Sequence, residues 1–318
     1  MLHRRSFLGA AALAAAGPLT ARAQDPVLRI VVPFSAGSGT DLGGRVLAQA
    51  VNKTTGRTVI IDNKPGAGSV IGSLEVVRSR PDGSTLLYTT GGHTTNAALM
   101  KNLPYDPVAD FTPITMVLRS SGFALLVSEK SPYKSLDQLI AAARKQPGRL
   151  SFGSSGVGNT THVMGVFFAN GVGLDLLHVP FKGTPTTELI GGTVDLAFLS
   201  PSVAGPQIRA GQLRALGISG STRSPILPDV PTFAELGLKV QDIPAWSGIF
   251  GPARMSPEVV RGLYDMLARA AQTQPVKDFV RENGGELAAM PPEQFGPYVV
   301  GEIERYRKVL PPLGIQMS

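Results

Sequence analysis

The stretch VPFSAGSGTD, Val32–Asp41, decides how this chain is read. It closes an apolar strand, Leu28–Pro33, runs through glycines and hydroxyls, and ends on a helix-start signal. Leu42, Val46, Leu47, Ala50 and Val51 then recur at helical spacing as far as Asn52. Strand, tight loop and helix in that order place first-turn amides at the carboxyl end of a buried strand, where an anion is well held. The anion is either a nucleotide phosphate, which would make this an enzyme, or a smaller acid.

The same grammar continues outward. Gly56 stops the helix, Thr58–Asp62 (TVIID) is a strand, NKPGAGS is a loop, Val70–Ser79 a helix and Thr85–Thr90 a strand. This β-α-β-α-β order predicts a parallel sheet covered on both faces. The pattern restarts with a strand at Phe123–Val127, a helix at Leu136–Lys145 and a strand at Leu150–Phe152. That strand leads into GSSGVGNTTH, Gly153–His162, and a helix to Asn170. Alternation persists through Leu176–Pro180, Thr184–Gly191, Val194–Leu199, Val203–Ala210 and Leu213–Ser219. A proline- and serine-rich stretch, 220–244, carries a short helix near Phe233–Leu236; Trp246–Gly251 is a last strand and helices fill 256–309. Each half therefore owns a Gly/Ser-rich loop between a buried strand and a helix.

Bulk composition narrows the class. The 318 residues hold 17% charged and 43% hydrophobic side chains, enough for a sizeable core. Residues 1–23 read as a cleaved export signal: Arg4-Arg5, an apolar run from Phe7 to Ala16 too short to span a bilayer, and Ala21-Arg22-Ala23 before Gln24. The RRSFL start fits a twin-arginine leader, and general secretion signals can begin the same way. The net charge of +7 falls to +4 without that segment, with 27 bases against 23 acids and no basic stripe, so nucleic acid is not an expected partner. There is no cysteine, hence no disulfide, lipid-attachment site or thiolate metal site. A periplasmic location follows.

Catalytic readings fare poorly. Gly37-x-Gly39-x-x-x-Gly43 resembles a variant dinucleotide fingerprint, with Asp62 where a ribose-binding acid would stand, so an exported NAD(P)-dependent oxidoreductase is the alternative. Against it, Gly43 and Gly44 lie inside the helix, where close packing alone would require them, and a second glycine loop at Pro65–Ser69 is surplus to such a site. No G-K-[ST] follows the glycines, and no G-x-S-x-G occurs. Ser131-x-x-Lys134 sits at a helix start capped by Ser135. His93, His162 and His178 lie in separate segments without metal-ligand spacing, so neither catalytic residues nor metal nor cofactor are expected.

Binding remains. Phe34, Ser35, Ala36, Gly37, Ser38, Gly39, Thr40 and Asp41 form one cradle; Ser154, Ser155, Gly156, Asn159, Thr160 and Thr161 surround the other. Hydroxyls and amides rather than arginines suit a carboxylate balanced by backbone donors. Asp41, being acidic, is expected to cap its helix or orient a water. Lys182 is a candidate charge partner, and Trp246, the only tryptophan, a packing residue.

These segments carry a family resemblance. VPFSAGSGTD, NKPGAGSVIG, LPYDPVADFTPIT, VPFKGT, GTVDLAFLS, GQLRALGISGSTRSPILPDVPTFAELG and FGPARMSPEVV, in order over the mature chain, resemble the substrate-binding proteins of tripartite tricarboxylate transporters, the Bug family. The resemblance implies an α/β periplasmic binding protein-like (Venus flytrap) fold of two doubly wound domains. Domain 1 would be discontinuous, 24–121 with 247–318, and domain 2 would be 122–246, with crossings near Arg119–Phe123 and Ile243–Ile249. It implies a monomeric receptor, not an enzyme, that captures a small carboxylate for membrane permease subunits. It places ligand loops on Phe34–Asp41 and Ser154–Thr160, with cleft contacts near His93, Thr184 and Ser200. The family's first loop usually has prolines and a third glycine where this chain has Ser35, Ala36 and Ser38. Low loop charge favours a mono- or dicarboxylate over citrate.

Overall fold

The computed structural model describes residues 27–120 and 122–313; the expected leader and its cleavage site lie outside them. The chain runs β1 (Leu28–Val32), α1 (Gly39–Thr55), β2 (Val59–Asn63), α2 (Val70–Val77), β3 (Thr85–Thr90), α3 (Gly92–Leu99), β4 (Phe111–Ser120) and β5 (Ala124–Ser128). It continues with α4 (Leu136–Lys145), β6 (Ser151–Ser154), α5 (Thr160–Val172), β7 (Leu177–Pro180), α6 (Thr186–Ile190), β8 (Leu196–Leu199), α7 (Pro201–Arg209) and β9 (Leu213–Ile218). Then come β10 (Ala245–Pro252), α8 (Pro257–Ala271), α9 (Gln274–Glu282), β11 (Gly285–Met290) and α10 (Pro292–Val309).

Local chemistry accounts for the helix ends. Ser38 caps α1 by accepting from the Asp41 N–H, and Gly56 closes it in the left-handed conformation at φ 75°. Ser135 caps α4, with Asp137 in its first turn and Arg144 and Lys145 in its last. Ser256 caps α8 with Pro257 at the first position, as the sequence suggests.

Two sheets result. The larger is ordered β11-β4-β10-β3-β1-β2 and the smaller β7-β6-β8-β5-β9. β1 pairs in parallel with β2 and β3, and β6 with β7 and β8. The carboxyl ends of each trio thus share one edge, and the loops that leave them share it too. β10, β4, β11 and β5 are antiparallel to their neighbours. Four elements depart from the sequence reading. β11 interrupts the helices expected over 256–309, 233–237 forms turns rather than a helix, and β4 and α3 were not anticipated.

The chain passes between sheets at 120–124 and returns over 219–244. At the first crossing Gly122 adopts φ +53°, and a Cβ there would lie 1.9 Å from the Ser219 carbonyl oxygen, so only glycine fits. Phe123 N–H donates to Ser219 Oγ at 2.8 Å and Ser219 N–H to Phe123 O at 3.0 Å, tying the two crossings together. α10 spans both halves. Phe295, Val299 and Ile303 pack under the larger sheet, whereas Tyr306 and Leu310 join Phe167, Phe168 and Phe198 of the smaller one. Among the described residues no helix is long and apolar enough to cross a membrane.

Candidate functional site

The shared edges of the two parallel trios meet. Thr95 Oγ1, near the start of α3, donates to the Gly158 carbonyl at 2.7 Å. A Cβ on Gly68 would lie 3.6 Å from Val157 O, and one on Gly91 would lie 3.2 Å from Thr160 Cγ2 and 3.3 Å from Trp246 Nε1. Where they meet, the seam is therefore walled by the loops after β2 and β3 on one side and after β6 on the other, and the loops after β1, β7 and β8 leave the same carboxyl-end edges.

On the first side, the loop before α1 is fixed by a buried carboxylate. Asp41, 1% exposed, accepts from the Gly37 N–H at 2.8 Å, from Arg45 Nε at 3.0 Å and from Asn63 Nδ2 at 2.9 Å. Asn63 also donates to Phe34 O at 3.1 Å, so β2 clasps the loop. Burial alone would raise the carboxyl pKa; hydrogen bonds from Arg45, Gly37 and Asn63, with the Arg45 charge, outweigh it and hold the pKa below the usual value. All this occupies Asp41 behind the loop. Its expected place among ligand contacts is corrected to that of a brace. Ser35, Ala36, Gly37 and Gly39 are exposed, and Ser38 and Thr40 partly so. The Gly39 and Thr40 N–H groups, in the first turn, have no intrahelical acceptor.

Behind the next loop lies strain. Gly66, Ala67, Gly68 and Ser69 are four consecutive residues with positive φ, at 130°, 46°, 62° and 84°. Asn96 Nδ2 donates to Gly68 O at 2.6 Å, which fixes the amide orientation and leaves Asn96 Oδ1 buried without a partner among the described residues. Trp246 packs edge-on against Phe295 and Tyr298, as a packing residue should, yet its Nε1–H is also buried and has no partner among the described residues. Sequence reasoning missed Asn96, Thr95 and the Gly66–Ser69 strain; the NKPGAGS loop was the one visible sign.

His93 does not line the seam. It is 2% exposed, stacks on Phe250 at 4.8 Å, meets Phe111 edge-on at 4.9 Å and bonds Pro107 O through Nε2 at 2.8 Å. Burial lowers its pKa to about 4. Its expectation as a cleft contact is overturned because α3 turns that side chain into the aromatic core and presents Thr95 to the seam instead.

On the second side, Asn159 caps α5, its Oδ1 accepting from the Thr161 N–H at 3.1 Å. Thr161 Oγ1 in turn accepts from the Ser155 N–H at 3.0 Å. Gly156 and Gly158 take φ of 117° and 78°. Ser154 is fully buried, its hydroxyl 2.6 Å from His178 Nε2 and accepting from the Gly156 N–H at 3.2 Å; like Asp41, it supports a loop from behind. Ser155 and Gly156 are partly exposed. Thr184 is exposed on the neighbouring loop, and Phe181 N–H donates to Ser154 O at 2.9 Å. Ser200 stands at the N-cap position of α7, at the carboxyl end of β8, where its hydroxyl bonds Ser202 Oγ at 2.8 Å instead of a first-turn amide. Lys182 is exposed.

The dinucleotide alternative finds no support. Gly43 is there for packing: a Cβ would sit 3.1 Å from Tyr88 Oη and 3.2 Å from Phe279. Asp62 is ion-paired with Arg29 at 2.9 Å and Lys64 at 3.7 Å. An open groove of about 440 Å³ beside α8 is lined by Tyr264, Asp265, Ala268, Arg269, Gln272 and Ala289 and by no residue of the glycine loops.

A family model described as the tripartite tricarboxylate transporter family receptor matches residues 44–315. The chain belongs to this family. The match begins one turn past the first loop, so that loop's role stands on its geometry. Among solved structures, the periplasmic binding protein BugD is 29% identical with a TM-score of 0.86, over 92% of this chain and 99% of that one. MatC from Rhodopseudomonas palustris, with bound malate, is 29% identical with a TM-score of 0.84, over 90% and 99%. A second R. palustris protein, with adipate, is 30% identical with a TM-score of 0.85, over 92% and 98%. The receptor thus shares its two-sheet architecture with periplasmic binding proteins, and the family is one of receptors rather than enzymes.

Proposed function

We propose that this receptor captures a small mono- or dicarboxylate in the seam between its sheets and delivers it, as a monomer in the periplasm, to the membrane permease subunits of a tripartite tricarboxylate-type transporter. The observation that carries the reading is the meeting of two carboxyl-end edges, each with a glycine loop leading into a helix N-terminus and neither offering a lysine or arginine from those loops. Backbone donors of Gly39, Thr40 and Thr160, with hydroxyls of Ser35, Thr40 and Ser155, balance the acid. Malate on one relative and adipate on another support the ligand class.

The domains we assign are 24–121 with 247–318, and 122–246, the leader being removed after Ala23. Rotation about the crossings tied at Gly122 and Ser219 opens and closes the seam. Asn96 Oδ1 and Trp246 Nε1 make closure over an empty seam unfavourable, because a buried unpartnered group costs about 1–3 kcal/mol. An acid and the waters it carries supply those partners and tip the balance towards closure.

A thermal-shift screen of residues 24–318 against malate, adipate, other organic acids and NAD(P) tests this. Ligand at a hundred times its Kd stabilises by about 2.7 kcal/mol, a visible shift. A shift with one acid and none with nucleotides is expected; a shift with NAD(P) alone would overturn the reading.

A further inference from the structure

His162 and His178, far apart in sequence, lie face to face. Their ring centroids are 3.8 Å apart, and Phe152 stacks on His178 at 4.8 Å. Among the described residues no group of three or more His, Cys, Asp or Glu is placed to hold a metal ion. Both rings are instead bonded to the second ligand loop, at opposite ends of it. His178 Nε2 meets the Ser154 hydroxyl at 2.6 Å, and His162 Nδ1 accepts from the Gly158 N–H at 3.1 Å. Gly158 is the residue whose carbonyl takes the Thr95 hydroxyl across the seam.

The chemistry of the second bond is forced. A backbone N–H can only donate, so His162 Nδ1 must be unprotonated and the ring must carry its hydrogen on Nε2. A proton on Nδ1 would face the Gly158 N–H donor to donor and push the loop away. The Ser154 bond is more forgiving, because a hydroxyl can reverse its direction. Burial supports the neutral form of both rings, lowering His162 to about 3, helped by the charge of His178, and lowering His178 to about 4. The surrounding elements are β6, β7, α5 and the loop itself. Among the described residues on them, no carboxylate, lysine or arginine acts on either ring. Asp195 is engaged by Ser151, and Lys182 stands exposed beyond β7.

We propose that His162 is a positioning residue for ligand capture: as a neutral acceptor for the Gly158 amide, braced by His178, it fixes the second ligand loop in the shape that meets both the acid and the opposite half. The inference rests on the carboxylate reading above for its binding consequence and on the loop geometry alone for its structural one.

Two substitutions separate the acceptor from the ring. His162→Phe keeps a ring stacked on His178 but removes the acceptor; His162→Asn sacrifices the ring but places Oδ1 where Nδ1 was. Both are made in the mature chain and checked for folding by circular dichroism. Isothermal titration with malate, adipate and whichever other acid gives the largest thermal shift should show about tenfold weaker binding for His162→Phe and a change within about threefold for His162→Asn. The affinity of His162→Asn relative to wild type, measured at the same pH so that ligand protonation cancels, should stay level from pH 7 to about 5 and rise as pH falls on towards 3, where His162 takes up its proton. Amide exchange without ligand should show Gly158 protected in wild type and His162→Asn and unprotected in His162→Phe.

Wild-type affinity in a folded His162→Phe protein, or equal losses in both variants with no pH-dependent ratio, overturns the proposal. Unchanged Gly158 protection in His162→Phe overturns it whether or not any acid binds. If no acid binds the wild type, the carboxylate reading fails, and the exchange measurement still decides the role of His162.

Discussion

The two glycine loops do the same work by opposite means. The loop before α1 is braced by a charge, Asp41, held by Arg45, Asn63 and the Gly37 amide. The loop before α5 is braced by neutral groups, His162, His178 and the Ser154 hydroxyl. A buried carboxylate behind a loop proposed to hold an anion is a liability in principle, since like charges repel. Here Arg45 offsets it, with its guanidinium half exposed and close to Asp41. A neutral brace needs no such compensation, but its acceptors must stay unprotonated. One loop is therefore vulnerable to loss of a charge and the other to the gain of one.

The difference can be broken most severely at Asp41. Asp41→Ala strands the Gly37 amide, the Asn63 amide and Arg45 together, and should cost about 2–4 kcal/mol in urea unfolding. A loss below about 1 kcal/mol would mean that the first loop does not depend on its charge.

Acid titration sharpens the contrast. The histidine pKa values are lower in the folded chain than the ordinary 6.5, so the unfolded state takes up protons first as pH falls. Stability is complete above pH 6.5 and declines between there and about 4, at up to about 1.4 kcal/mol per pH unit for each such histidine. His93 adds to the same window. Asp41 has the reverse sign: its contribution is complete above the ordinary 3.8 and is lost only as pH falls through its lower folded value. The second loop should thus lose amide protection at a higher pH than the first. Simultaneous loss would refute the contrast.

Smaller effects follow at the seam itself. Ser155→Ala should weaken acid binding by about 1 kcal/mol while leaving the melting temperature unchanged, as befits a hydroxyl with no bond to the other described residues. Ser154→Ala should do the opposite, lowering stability by leaving the Gly156 amide without its acceptor. The smallest expected effect is that of salt. Raising ionic strength should loosen the Arg45–Asp41 contact by a few tenths of a kcal/mol and leave the histidine brace unmoved.

Much of this architecture was legible in the sequence, and the failures have physical causes. Strands β1, β2, β3, β5 and β6 and helices α1, α4 and α8 announce themselves through periodicity and caps, which are local signals. β11 does not: GELAAM, with two alanines and a glutamate, has weak strand preference and is a strand only because β4 offers it an edge. The glycine loops were found because their glycines are local necessities. The roles of individual residues were not, because a side chain's direction depends on packing. His93 and Thr95 sit two residues apart on α3; one enters the aromatic core and the other crosses the seam, and nothing in GGHTTN distinguishes them. The histidine pair was invisible for the same reason, since 16 positions of chain separate rings that the fold stacks.

The strand order of the larger sheet has a consequence for how the molecule is made. β4 pairs with β10 and β11, both encoded after residue 244, while β9, β5, β8, β6 and β7 form a sheet from one unbroken stretch, 124–218. A growing chain can therefore complete the smaller sheet first, while β4, already synthesised, waits with both its edges bare. Chains halted before Ala245 would expose those edges to one another, and such fragments should aggregate where the full-length chain does not.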